Sequence, residues 1–135
     1  MKPRNKGALA EYRFISTALS LDLRVLTPAV DGYAYDVVVD NGSRFYKIQV
    51  KYASKDKRVN NQFGAMTQRT TSSIRGDYQN YTANEVDFFA LYIYYIDTFY
   101  IIPYDAVKGK SITVNTHNAK NKYTEYKNNW KQLLR

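Results

Sequence analysis

The sequence predicts an α/β domain, and three observations predict it. A segment of helical periodicity runs from Lys6 to Leu21, strand-like runs follow at 24–26, 35–52 and 86–102, and helical spacing returns after Asn118. At 135 residues the chain is expected to form one domain, 1–135, around a single core.

The elements are justified in order. In the first helix Ala8, Tyr12, Ile15 and Leu19 recur at helical spacing as an apolar stripe. Glu11 has Gly7, Ala8, Ile15 and Ala18 as its neighbours on the helix surface, which places it toward the sheet. A carboxylate there costs on the order of several kcal/mol unless it is paired or bound to metal. Arg24 to Leu26 reads as a short strand, and Thr27 to Ala34 as a loop containing Pro28 and Gly32. Asp31 in that loop reads as an exposed turn residue. Tyr35 to Tyr52 then holds two β-rich runs joined by Asn41-Gly42, a hairpin signal of the type I′ kind. With those two residues at the centre of the turn, Asp40 lies opposite Ser43, Val38 opposite Phe45 and Asp36 opposite Lys47. Side chains alternate along a strand, so Asp36 shares a face with Lys47, Gln49 and Lys51, while Val37, Val39, Tyr46, Ile48 and Val50 fill the other.

Ala53 to Asn84 is polar, basic and rich in Ser, Thr, Asn, Gln and Gly. A stretch of that length is expected to be functional, as a loop or an extended hairpin at about 53–84. Val86 to Ile96 and Phe99 to Ile102 read as two apolar strands central in the sheet, with Pro103 closing the second. Lys108 to Val114 adds a turn and a strand. Ala119, Tyr123, Tyr126, Trp130 and Leu133 predict a closing amphipathic helix capped by Asn118. His117, the one histidine, has no partner nearby in sequence and reads as a surface residue.

Glu11, Asp36, Gln49 and Lys51 carry the chemistry. A carboxylate on a helix, another on a strand and an acceptor-x-Lys pair on the adjoining strand are what is needed to hold a divalent cation beside a phosphodiester, with Lys51 orienting or deprotonating the attacking water. A solvated strand face, with Glu11 paired to Lys47 or Lys51, is the alternative reading of the same residues. The charge supports the first: the chain carries +8, and Arg44 to Arg75 holds eight Lys and Arg against Asp56 alone. Such a stretch is the footprint of phosphate binding. Lys55, Lys57, Arg58, Gln68, Arg69 and Arg75 are the candidate DNA contacts, with Tyr78 and Tyr81 as stacking partners. No cysteine is present, which excludes disulfides and Cys-ligated metal. No apolar run approaches a membrane span and Met1 to Gly7 lacks the core of a signal peptide, so a cytoplasmic location is expected.

In order and spacing these residues resemble the PD-(D/E)XK nuclease superfamily. The Gly7-x-x-x-Glu11 helix is similar to that of Holliday junction resolvases. KGALAE, YDVVVD, FYKIQVKY, YTANEVDFFALY and FYIIP look closest to intron-encoded homing endonucleases of that fold, over roughly Lys6 to Asp105. The resemblance implies a PD-(D/E)XK nuclease-like mixed central sheet flanked by helices. It also implies sequence-specific cleavage of double-stranded DNA by metal-dependent hydrolysis, with Mg²⁺ as cofactor and Mn²⁺ able to substitute. The main-chain carbonyl of Val50 then joins Glu11, Asp36 and Gln49 as a ligand. Tyr35 stands where the motif's name has proline, a position that contributes no ligand. Gln49 stands where an acid is usual, which removes one formal charge from the site; the intron-encoded subgroup shares that glutamine. A Holliday junction resolvase and a catalytically decayed DNA-binding module are the two alternatives. Because one such site cuts one strand, and because the aromatic residues of 88–95 and 123–133 exceed what a small domain needs, a homo-dimer or homo-tetramer is expected.

Overall fold

The computed structural model describes residues 1–72 and 77–135. Helix α1 (Pro3–Ser20) leads into strands β1 (Arg24–Leu26), β2 (Val37–Asp40) and β3 (Phe45–Tyr52). The crossover that follows contains β4 (Ser54–Lys55), β5 (Gln62–Met66), β6 (Gln68–Ser72) and β7 (Asp77–Asn80). Strands β8 (Phe88–Ile93), β9 (Thr98–Pro103) and β10 (Ser111–Asn115) complete the set, followed by two 3₁₀ turns at Thr124–Tyr126 and Trp130–Leu134. The main sheet is five-stranded, in the order β1-β2-β3-β8-β9. It is mixed because β3 and β8 pair in parallel while its other neighbours are antiparallel.

The sheet is covered on both faces. Ala10, Phe14 and Ala18 of α1 pack on Val37, Val39, Ile48 and Val50, with Phe88, Ala90 and Tyr92 contributing from β8. The alternate residues Phe89, Leu91 and Ile93 point into a second core shared with Phe63, Ile112 and Val114 of a small sheet ordered β10-β5-β4. All six residues of β8 are therefore buried, as a strand covered on both sides requires.

Four sequence expectations are corrected here. The buried face of α1 is Ala10, Phe14 and Ala18, whereas Tyr12 is 72% and Leu19 55% exposed. The small alanines flank Phe14, which fits against Phe99 and Trp130 at ring-centre distances of 5.7 and 4.9 Å. Glu11 lies about 60° round the helix from Phe14, given roughly 100° per residue, so it still borders the packed face. The hairpin register is offset by two residues: Asp40 opposes Phe45 and Val38 opposes Lys47. Asn41 does not enter a type I′ turn because its side chain is engaged elsewhere. Its Oδ1 accepts the N–H groups of Ser43 and Arg44 at 2.9 and 2.8 Å, and its amide donates to the carbonyls of Leu133 and Arg135. Only Gly42 of the pair takes positive φ, at 92°. A shift of two preserves the alternation, so the apolar face remains as expected.

The C-terminal amphipathic helix does not form. Asn118 and Asn121 bind the N–H groups of Lys120 and Tyr123 through their side chains, and Asn128 has φ 52°. Asparagine side chains that compete for local backbone groups leave 3₁₀ turns in place of a helix. The apolar residues are nonetheless core, with Tyr123, Trp130 and Leu133 buried. This segment also covers β9, which is the edge strand and not a central one: Asn128 N–H donates to Phe99 O at 2.7 Å and Gln132 to Ile101 O at 2.8 Å.

Candidate active site

Asp36 stands one residue before β2, its N–H held by the Ile48 carbonyl at 2.9 Å. Its carboxylate turns back to accept the Val50 N–H at 2.8 Å, which fixes it against β3. Glu11 approaches from α1 and lies close enough to Asp36 for the two carboxyl groups to interact directly. The two line a cleft of about 180 Å³ between α1 and the segment 27–37, together with Ile15, Asp31, Gly32 and Tyr35.

The electrostatics follow from that crowding. Burial first, then the neighbouring Asp36 carboxyl group, push Glu11 up to about 7, with the Asp31 charge adding to the effect. Asp36 is also raised by burial, against the opposing pull of the Val50 N–H, Glu11 and Lys51. Two carboxylates forced together in a partly desolvated cleft repel each other, and either a shared proton or a divalent cation relieves the repulsion. Lys51 lies within reach of the pair: burial lowers its pKa while the Asp36 charge raises it. Its ammonium donates to the Tyr81 hydroxyl at 3.4 Å and sits 5.4 Å from that ring's centre. Gln49, one alternation before Lys51 on β3, is buried with 9% exposure.

The fold that carries these residues has counterparts among known proteins. Residues 1–133 match the family of PD-(D/E)XK endonucleases. The chain belongs to that family. Its fold is similar to that of a bacterial homing endonuclease, I-Ssp6803I, with a TM-score of 0.88 and 27% identity over 99% of this chain and 94% of that one. No curated protein matches the sequence. The PD-(D/E)XK fold expected from the sequence is the fold observed, and membership in the family makes the chain a nuclease.

The structure brings Glu11, Asp36 and Lys51 together, places Gln49 two residues before Lys51 on β3, and leaves the expected DNA contacts spread over the crossover. Lys55, on β4, lies 5.6 Å over the Tyr95 ring. Lys57 and Arg58 are exposed in the turn after β4, where Asp56 accepts the Arg58 N–H at 2.7 Å. Gln68 and Asn80 are paired across β6 and β7 by a 2.7 Å hydrogen bond, and Tyr78 on β7 is 55% exposed. Arg69 is engaged by Glu85 and by the Gly32 carbonyl. Tyr81 is buried and faces Lys51. Arg75 lies outside the described residues. Asp31 is the acid that sequence reasoning set aside: it is exposed, as expected, yet lines the cleft. Its spacing from Asp36 across a loop carries no periodic signal that could have shown this. Among the described residues no helix is long and apolar enough to cross a membrane.

Proposed function

We propose that this nuclease is a homing endonuclease that recognises a specific duplex sequence and hydrolyses one phosphodiester in each strand, with Mg²⁺ as its cofactor and Mn²⁺ able to substitute. The observation that carries the reading is the Glu11–Asp36 pair with Lys51 beside it, in a fold that matches I-Ssp6803I over nearly its whole length. The donor set suits a hard cation. Glu11 and Asp36 offer carboxylates, Gln49 an amide oxygen and Val50 a main-chain carbonyl, and oxygen ligands of this kind are what Mg²⁺ takes. Burial and the neighbouring Asp36 carboxyl group raise the pKa of Glu11, a cost that a bound cation would offset. When bound, the metal supplies Lewis-acid stabilisation of charge on the phosphate.

Each residue has a task of its own. Asp36, held by the Val50 N–H, presents a fixed oxygen to the cleft. Lys51, steadied by Tyr81, orients or deprotonates the attacking water and offsets charge at the pentavalent phosphorus. Lys55, Lys57 and Arg58 hold the DNA backbone, and Gln68 and Tyr78 on the β6–β7 hairpin face bases. Since one site cuts one strand, two copies act on one duplex, as a dimer or tetramer reading a roughly palindromic target. The aromatic residues near the C-terminus do not contribute to that interface argument, because Tyr123 and Trp130 are buried within the domain.

The test is incubation with a library of linear duplexes and with a four-way junction in Mg²⁺. Cleavage of a subset of duplexes is expected, abolished in Asp36→Asn with DNA affinity retained within about threefold, because phosphate contacts elsewhere supply most of the binding. Preference for the junction identifies a resolvase, and bound but intact DNA of both kinds identifies a binding module. Sedimentation equilibrium with DNA is expected to show at least two copies; a 15.7 kDa monomer refutes the paired-site mechanism.

A further inference from the structure

Arg69 joins three segments that lie far apart in the sequence. From β6 its half-buried guanidinium donates through Nη1 to Glu85 Oε2 at 3.1 Å and through Nη2 to the Gly32 carbonyl at 3.1 Å. Glu85 is itself anchored, since its other oxygen accepts the Thr82 N–H at 2.9 Å. The turn containing Glu85 is tied to the main sheet two residues later, where Asp87 accepts the Lys47 N–H at 2.8 Å. At the opposite end of the bridge, Gly32 sits in the left-handed region at φ 102°, a conformation that glycine adopts without strain. Asp31, immediately before it, lines the cleft that holds Glu11 and Asp36 and adds its charge to theirs.

A guanidinium is suited to this task because its planar fork directs donors at two acceptors at once, which a lysine ammonium does with far less directional control. The same commitment argues against the base contact expected from the sequence. Reading a guanine edge needs two donors of the fork in one direction, and here two are already divided between Glu85 and Gly32.

We propose that Arg69 is a positioning residue. It ties the loop 27–34 to the β6–β7 hairpin and so sets where Asp31 stands relative to Glu11 and Asp36, making the geometry of the cleft depend on how the hairpin is seated. The catalytic consequence rests on the nuclease function proposed above; the mechanical link does not.

Hydrogen exchange on the full chain, together with binding and single-turnover cleavage, tests it. In Arg69→Ala and Arg69→Lys the amides of 29–34 are expected to exchange about tenfold faster or more, while those of β8 and β9 keep their wild-type rates and so report an intact core. Affinity for target DNA is expected to stay within about threefold while the cleavage rate falls by about tenfold, and Asp31→Asn added to Arg69→Ala is expected to cost less than Asp31→Asn alone. Unchanged exchange across 29–34 in both variants overturns the proposal. So does a selective loss of affinity for the target with relaxed base preference, the signature of direct readout. If the wild-type protein cuts no DNA, the nuclease function fails, and the exchange result still decides whether Arg69 holds the loop.

Discussion

Replacing Glu11 with glutamine is expected to make the metal-free protein more stable at neutral and alkaline pH. In the folded chain Glu11 titrates at about 7, against an ordinary value of 4.5, because burial and the Asp36 charge disfavour its ionised form. Below the ordinary value both folded and unfolded states hold the proton, and the residue costs nothing. As the pH rises through the window from 4.5 to about 7 the unfolded chain releases the proton more readily than the folded one, and stability is lost until the folded group ionises too. The difference between 4.5 and about 7 corresponds to a ceiling of about 3 kcal/mol. Glu11 is only half-buried, and solvent screening reduces the figure to about 1–2 kcal/mol. Glu11→Gln stays neutral throughout and avoids that cost. Thermal melts without divalent metal are expected to coincide at about pH 4 and to separate by roughly 3–8 °C in favour of the variant at about pH 8. Equal offsets at both pH values, or a variant that melts lower at pH 8, would falsify the assignment of Glu11 to a crowded acid pair.

The other expectations concern binding. Gln49→Glu restores a third carboxylate and is expected to tighten Mg²⁺ binding in a calorimetric titration while retaining some cleavage; weaker binding places Gln49 outside the metal shell. Neutralising Lys55, Lys57 and Arg58 together is expected to weaken binding to specific and random duplexes alike, lowering the salt slope by about 0.9 for each lost phosphate contact. An unaltered slope removes that turn from the DNA interface.

The parts of the fold that were legible in the sequence are those in which one physical rule acts alone. Alternation along Val37–Val39 and Ile48–Val50 decided which residues face the core, and it survived an error in turn type because a shift of two residues leaves each side chain on its own face. The continuous apolar runs of β8 and β9 were legible as strands buried on both faces. They did not reveal which was the edge, because the covering segment arrives from residues 127–132, far along the chain. Where two rules compete, the reading failed. Helical spacing from Ala119 to Leu133 lost to asparagine side chains that bond their own backbone. In α1, large exposed Tyr12 and Leu19 outweighed the small buried Ala10 and Ala18. Of the candidate site, Glu11, Asp36, Gln49 and Lys51 were accessible from alternation and helical position. Asp31 and the Arg69 bridge depend on loop paths that no periodicity encodes.

The parallel pairing of β3 with β8 has a kinetic implication. Ile48 pairs with Phe88 only after the chain has closed a loop of roughly forty residues, and long-range parallel pairing of this kind is slow because the entropy of closure is lost before the contacts form. The strand bearing Gln49 and Lys51 can zip early onto β2 through the short turn at Asn41–Arg44, whereas its other flank waits for the whole crossover to be threaded. Until then one long side of β3 stays open to strands of neighbouring chains. The crossover proposed to contact the DNA is thus also the one whose closure ends the period in which this protein is most prone to aggregate.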